Sequence, residues 1–145
     1  MNAPTIRTSN EPTLAMPAGR IVAAILVAAG MTGSGWVGIT LALGKDVAVQ
    51  TAGLAGAALV AIVGVLGVLA MAPWKHRPIS MWMTFWLAGT LVRMLATPAL
   101  TFLLYSAAPL NAMALTLAVA VAYLIVLLTE TAVIARSVGR AASPH

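Results

Sequence analysis

The chain has 145 residues, 61% of them hydrophobic and only 8% charged, with a formal net charge of +5 and a mean hydropathy of +1.01. A water-soluble fold of this composition would lack the polar surface to cover itself, so the chain reads as an integral membrane protein. It contains no cysteine, which excludes disulfides, thiolate catalysis and cysteine-based metal or iron–sulfur sites.

The opening stretch, MNAPTIRTSNEPTLAMPAGR, is rich in Pro, Asn, Thr and Ser and predicts a disordered tail over residues 1–18. A transmembrane domain follows over residues 19–136, with apolar segments at 21–43, 47–71, 81–105 and 110–135. Each exceeds the roughly 20 residues that an α-helix needs to cross about 30 Å of hydrocarbon. The expected fold class is all-α, an integral membrane protein with four transmembrane helices arranged as two antiparallel hairpins. Period-2 alternation, the signature of a membrane β-barrel, is missing. The first segment is longer than a secretory h-region of roughly 7–15 residues and is read as a retained span.

In the first segment Gly30, Ser34 and Gly38 recur every four positions on one face. In the second, Gly56, Val60 and Gly64 do the same, with Gly53, Ala57 and Ala61 on an adjoining face. Small residues allow two backbones to approach closely in lipid, where packing replaces the hydrophobic effect. The LGKD connector is short enough to force an antiparallel hairpin, so these stripes are expected to meet as the contact between helices one and two. The alternative is an oligomerisation or partner-docking face.

Trp74, Trp82 and Trp86 cluster where the second and third segments reach the interface, and their amphipathic rings are expected at headgroup depth as anchors. Pro98, inside the third segment, removes a backbone donor and should bend the helix. After the fourth segment, RSVGRAASPH predicts a second disordered tail over residues 137–145. Arg7, Arg20, Lys75, Arg77, Arg136 and Arg140 fall on one side of a four-span topology, and Lys45 with Asp46 on the other. This bias predicts that both termini are cytoplasmic, or on the equivalent side in an organelle; a bacterial inner membrane is the expected location. The positive charge is scattered beside the membrane, without a basic stripe or interleaved aromatics, so anionic lipid headgroups are the expected partners rather than nucleic acid. His76 and His145 lack companions at metal-site spacing, and neither a metal nor a cofactor is expected.

Two charges remain inside the spans, Arg93 in LAGTLVRMLATP and Glu130 in LLTETAV. An arginine near mid-membrane costs anything from roughly 3 kcal/mol on insertion scales to more than 10 in simulations, so it needs a partner or a water path. The two positions differ in depth by about 10 Å at 1.5 Å per residue. Side chains lean toward their own helix N-terminus, which brings Arg93 and Glu130 toward each other across helices three and four. Thr90, Thr97, Thr129 and Thr131 offer hydroxyl partners. The role of such a pair stays open between fixing helix register, recognising a partner, and handling ions or protons.

The size, the four spans, the basic loop WKHRP and the GTLVR stretch from Gly89 to Arg93 resemble the ATP synthase protein I family of small membrane proteins. The resemblance covers approximately residues 20–136. It implies an accessory factor that helps assemble the rotor ring of the synthase membrane sector, with Arg93 at the family's basic position and Glu130 answering an acidic position of some members. A role in magnesium supply has also been proposed for the family, but Thr90 stands here where some members carry an acid. No nucleophile lies beside a histidine base in any span, so an enzyme is not expected. The alternatives are a small oligomeric cation transporter or channel, with magnesium as a candidate ion, and a structural subunit of another membrane complex.

Overall fold

The computed structural model describes residues 13–142; residues 1–12 and 143–145 of the expected tails lie outside the described residues. The apolar segments form four helices, α1 (Ala18–Ala42), α2 (Val47–Ala70), α3 (Ile79–Ala107) and α4 (Ala112–Ala142). All four are long and apolar enough to cross a membrane. The protein is therefore a multi-pass membrane protein built as an all-α four-helix bundle.

Helices α1 and α2 make a tight hairpin. Gly44, at φ 60°, reverses the chain after α1: Lys45 N donates to Thr40 O at 2.8 Å and Gly44 N to Leu41 O at 3.0 Å. This Schellman arrangement satisfies the last carbonyls of the helix, and glycine is the residue that takes the left-handed conformation without penalty. Trp36 of α1 crosses onto α2, where its Nε1 donates to Val49 O at 3.0 Å. The indole lies so close over Gly53 that a Cβ there would fall 2.0 Å from it.

Helix α4 packs against both members of this hairpin. Gly56 is the point of closest approach, since a Cβ there would stand 3.1 Å from Val119 Cγ2 and 3.3 Å from Leu115 O. Ile25, Ala52, Leu115, Ala118 and Ala122, each 1% exposed or less, form the centre of this three-helix core. Asn111 caps α4, its Oδ1 accepting from Ala114 N at 2.9 Å, which satisfies one of the free amides at the helix start.

Helix α3 lies outside that core. It is the least buried of the four helices, runs mainly along α2, and touches α4 only sparingly although α4 follows it in sequence. Its buried positions, Trp82, Arg93, Thr97 and Thr101, form one narrow seam, while Leu87, Leu91, Leu95, Phe102 and Leu103 are exposed. In its middle the helix thus turns Arg93, Thr97 and Thr101 inward and Leu87, Leu91 and Leu95 outward, as lipid rather than water demands.

Three expectations from the sequence are corrected. The stripe Gly30, Ser34 and Gly38 faces outward, and a Cβ on Gly30 or Gly38 would meet nothing within 4 Å. The contact of α1 with α2 instead runs through Gly33, against Leu54 and Ala57, one position off the stripe and therefore about 100° round the helix. Residues 13–17 are ordered: β1 (Thr13–Leu14) pairs antiparallel with β2 (Arg77–Pro78) in a short two-stranded ribbon, and Met16 N donates to Pro73 O at 3.0 Å. Met16, 8% exposed, supplies the apolar contact that fixes this segment. At the other end α4 continues through residues 137–142, because no proline interrupts ARSVGRAA. Its 31 residues are about 46 Å long, some 15 Å more than the hydrocarbon core.

Candidate functional site

Arg93 occupies the middle of α3, fourteen residues from either end. Its Nη1 donates to Glu130 Oε1 of α4 at 2.6 Å, and the two residues are 6% and 1% exposed. The Arg93 side chain folds back one turn toward the start of α3, with Nε donating to Gly89 O at 3.3 Å. The structure therefore brings together the two charges that the sequence placed in the spans. A charge-assisted hydrogen bond of this length belongs to the strong class. It offsets the cost of burying each ion, and removal of either member would strand the other in an apolar surround.

The seat for the pair is made by α2. A Cβ on Gly67 would stand 2.6 Å from Arg93 Cδ, and one on Gly64 would stand 3.8 Å from Glu130 Oε1 and 3.2 Å from Ile25 Cγ2 of α1. All four helices thus meet at one level. The small-residue stripes legible in the sequence include Gly64 but miss Gly67. The signal for Gly67 is its place three residues beyond Gly64, on the same side of α2.

The threonines behave differently from expectation. Thr97 donates to Arg93 O and Thr101 to Thr97 O, each at 2.7 Å. Thr90 donates to Trp86 O at 2.9 Å, Thr129 to Ile125 O at 2.7 Å and Thr131 to Leu127 O at 2.8 Å. Their hydroxyls satisfy themselves on the preceding turn of their own helices, a low-cost option in lipid. None of these hydroxyls bonds the Arg93 or Glu130 side chain.

Of the three tryptophans expected as anchors, only Trp74 is openly exposed, at 59%. Trp82 is buried at 3%, with the Arg77 guanidinium 5.4 Å from its ring centre and 4.2 Å from that of Phe85. It packs into the end of the bundle near the start of α3. Trp86 is half-buried one turn above Gly89, on the side of the pair nearer the ribbon.

Compared with known protein families, curated proteins and solved structures, the chain matches none. Among the described residues no three His, Asp or Glu side chains gather where they could hold a metal ion. The ion pair rests on the single contact between Arg93 Nη1 and Glu130 Oε1, and Arg93 Nη2 has no hydrogen-bond partner among the described residues.

A second feature lies between α3 and α4. Because these helices diverge, a groove of about 710 Å³ separates them, lined from Thr90 to Tyr105 on α3 and from Ala112 to Leu127 on α4. Its length is about 22 Å, most of the depth of the hydrocarbon. Small residues and hydroxyl-bearing side chains lie along it, among them Ala112, Thr116, Ala120, Thr97 and Thr101, with Pro98 midway.

Proposed function

We propose that this protein is a non-enzymatic accessory factor that holds a transmembrane helix of a partner in the groove between α3 and α4. The observation that carries this reading is the groove itself, which runs about 22 Å along α3 and α4, most of the hydrocarbon depth. Helix association in lipid relies on close packing along small residues, and Ala112, Thr116 and Ala120 of α4, exposed along the groove, supply that surface. The Arg93–Glu130 pair serves as the fixed point that sets how far α3 stands from the core. In this reading the partner belongs to the membrane sector of a proton-translocating ATP synthase, a choice supported by the resemblance around Gly89 and Arg93. The orientation that fits the charge bias has both termini cytoplasmic.

The test is photocrosslinking in native membranes. A photoreactive residue replaces Thr116 in the groove, and in a separate variant Leu26, which is exposed on α1. Adducts to synthase rotor or stator subunits from position 116, and none from position 26, are the expected result. Adducts confined to lipid, or to a second copy of this chain, would overturn the assignment of the partner.

A further inference from the structure

The groove between α3 and α4 carries two hydroxyls that the bundle leaves unused. Nine threonines of the four helices donate to a carbonyl on the preceding turn of their own helix. Thr116 departs from this habit: it is exposed, lines the groove, and its hydroxyl makes no hydrogen bond among the described residues. The second is Tyr123, the twelfth residue of the 26-residue apolar span Ala112–Ser137 and therefore near the middle of the hydrocarbon. Tyrosines are ordinarily found at the membrane interface, as is Tyr105, two residues before the end of α3. Tyr123 packs its ring against the core and lines the groove, and its hydroxyl likewise makes no hydrogen bond among the described residues.

Both positions face the groove from α4. They stand two helical turns apart, about 10 Å along the axis, with exposed Ala120 between them. Hydrocarbon offers a hydroxyl no water to pair with, so a helix seated in the groove is the source of partners for both. The character of those partners follows from charge. Among the described residues no charged side chain lines the groove, and Arg93 is engaged by Glu130 at 2.6 Å. An ionised group on the incoming helix would stay uncompensated at mid-membrane, whereas a neutral amide or hydroxyl offers an acceptor without that cost.

We propose, resting on the reading that the groove holds a partner's transmembrane helix, that Thr116 and Tyr123 are its specificity-determining residues. They select a helix that carries two neutral polar side chains (Asn, Gln, Ser or Thr) seven residues apart near mid-membrane, with a small residue between them against Ala120. The spacing reads the same in both chain directions, so the selection holds for a partner parallel or antiparallel to α4.

The experiment uses synthetic transmembrane peptides of Leu and Ala with the full-length protein in phospholipid nanodiscs. An acceptor dye is attached through Leu103→Cys, an exposed position outside the groove lining, and energy transfer from donor-labelled peptide reports binding. One peptide carries Asn at two positions seven apart, a second has the same composition with the two Asn five apart and so on different faces, and a third has Leu at both. The first is expected to bind several-fold more tightly than the second. That preference should vanish in Thr116→Val and in Tyr123→Phe and persist in Tyr105→Phe, while the third peptide binds all variants alike and so reports an intact groove. Equal binding of the first two peptides, or a preference that survives either Thr116→Val or Tyr123→Phe, would overturn the proposal. Failure of the underlying reading has a separate sign: crosslinks from position 116 in native membranes that reach lipid alone.

Discussion

Helices α1, α2 and α4 hold together by apolar interlock, whereas α3 is held by chemistry at a few points. In the core, glycines are pressed by side chains of neighbouring helices: Gly53 under Trp36, Gly56 against Val119, Gly64 against Ile25. Along α3 the inward positions are Trp82, Arg93, Thr97 and Thr101, and the link to α4 is the ion pair with Glu130. The difference sets a three-helix core closed by apolar contact against a helix that meets it along one narrow seam. A scaffold closed on all sides would leave no groove for a partner.

The largest expected effect comes from breaking that contact on one side only. Arg93→Leu or Glu130→Leu should each destabilise the bundle by roughly 3–5 kcal/mol, because each leaves a buried charge unpaired. The double variant Arg93→Leu with Glu130→Leu should recover most of the loss. Unfolding followed by circular dichroism in mixed micelles would measure this, and additive single effects would mean that the two residues are not coupled.

Next in size is Gly53→Ala within the core. The new methyl must displace a hydrogen-bonded indole 2.0 Å away, and overpacking of this kind costs about 1–3 kcal/mol. Tryptophan fluorescence should report the displacement of Trp36. The same substitution at Gly30 or Gly38, where a Cβ meets nothing within 4 Å, should instead raise stability by roughly 0.5–1 kcal/mol through helix propensity. A loss at those positions in native membranes, but not in detergent, would reveal a partner on the outer face of α1.

A gain of similar size is expected at the turn after α2. Ala72 takes φ 48°, a left-handed conformation that costs a non-glycine residue roughly 1–2 kcal/mol. Ala72→Gly relieves it at some expense in unfolded-chain entropy, for a net gain of about 0.5–1 kcal/mol. Thermal denaturation in the same detergent would detect it.

Much of this contrast is legible in the sequence, and the places where it is not have physical reasons. Helix length and apolar composition determine the spans, since the bilayer admits few other solutions. Arg93 and Glu130 pair on sequence grounds because a charge buried in lipid must find its opposite, and side-chain direction narrows the gap between their depths. Which face of a helix packs is not determined this way in lipid, because apolar residues suit both the core and the membrane. The stripe of Gly30, Ser34 and Gly38 therefore has the same pattern as a stripe that packs. Trp82 is ambiguous for a related reason, as an amphipathic ring near a helix start fits either the headgroups or a covered bundle end. The ordering of residues 13–17 depends on partners some sixty residues away, at Pro73 and at Arg77–Pro78, beyond the reach of local composition.

The dependence of α3 on the ion pair can be measured directly with spin-label distances in nanodiscs. The chain has no native cysteine, so labels introduced at Leu54 of α2 and Leu103 of α3 report the position of α3. A second pair at Leu41 of α1 and Leu117 of α4 reports the core; all four positions are exposed. Glu130→Ala is expected to lengthen and broaden the distribution between positions 54 and 103 while leaving that between 41 and 117 unchanged. An unchanged distance between 54 and 103, or equal broadening of both pairs, would contradict the view that the Arg93–Glu130 contact positions α3 against an independently packed core.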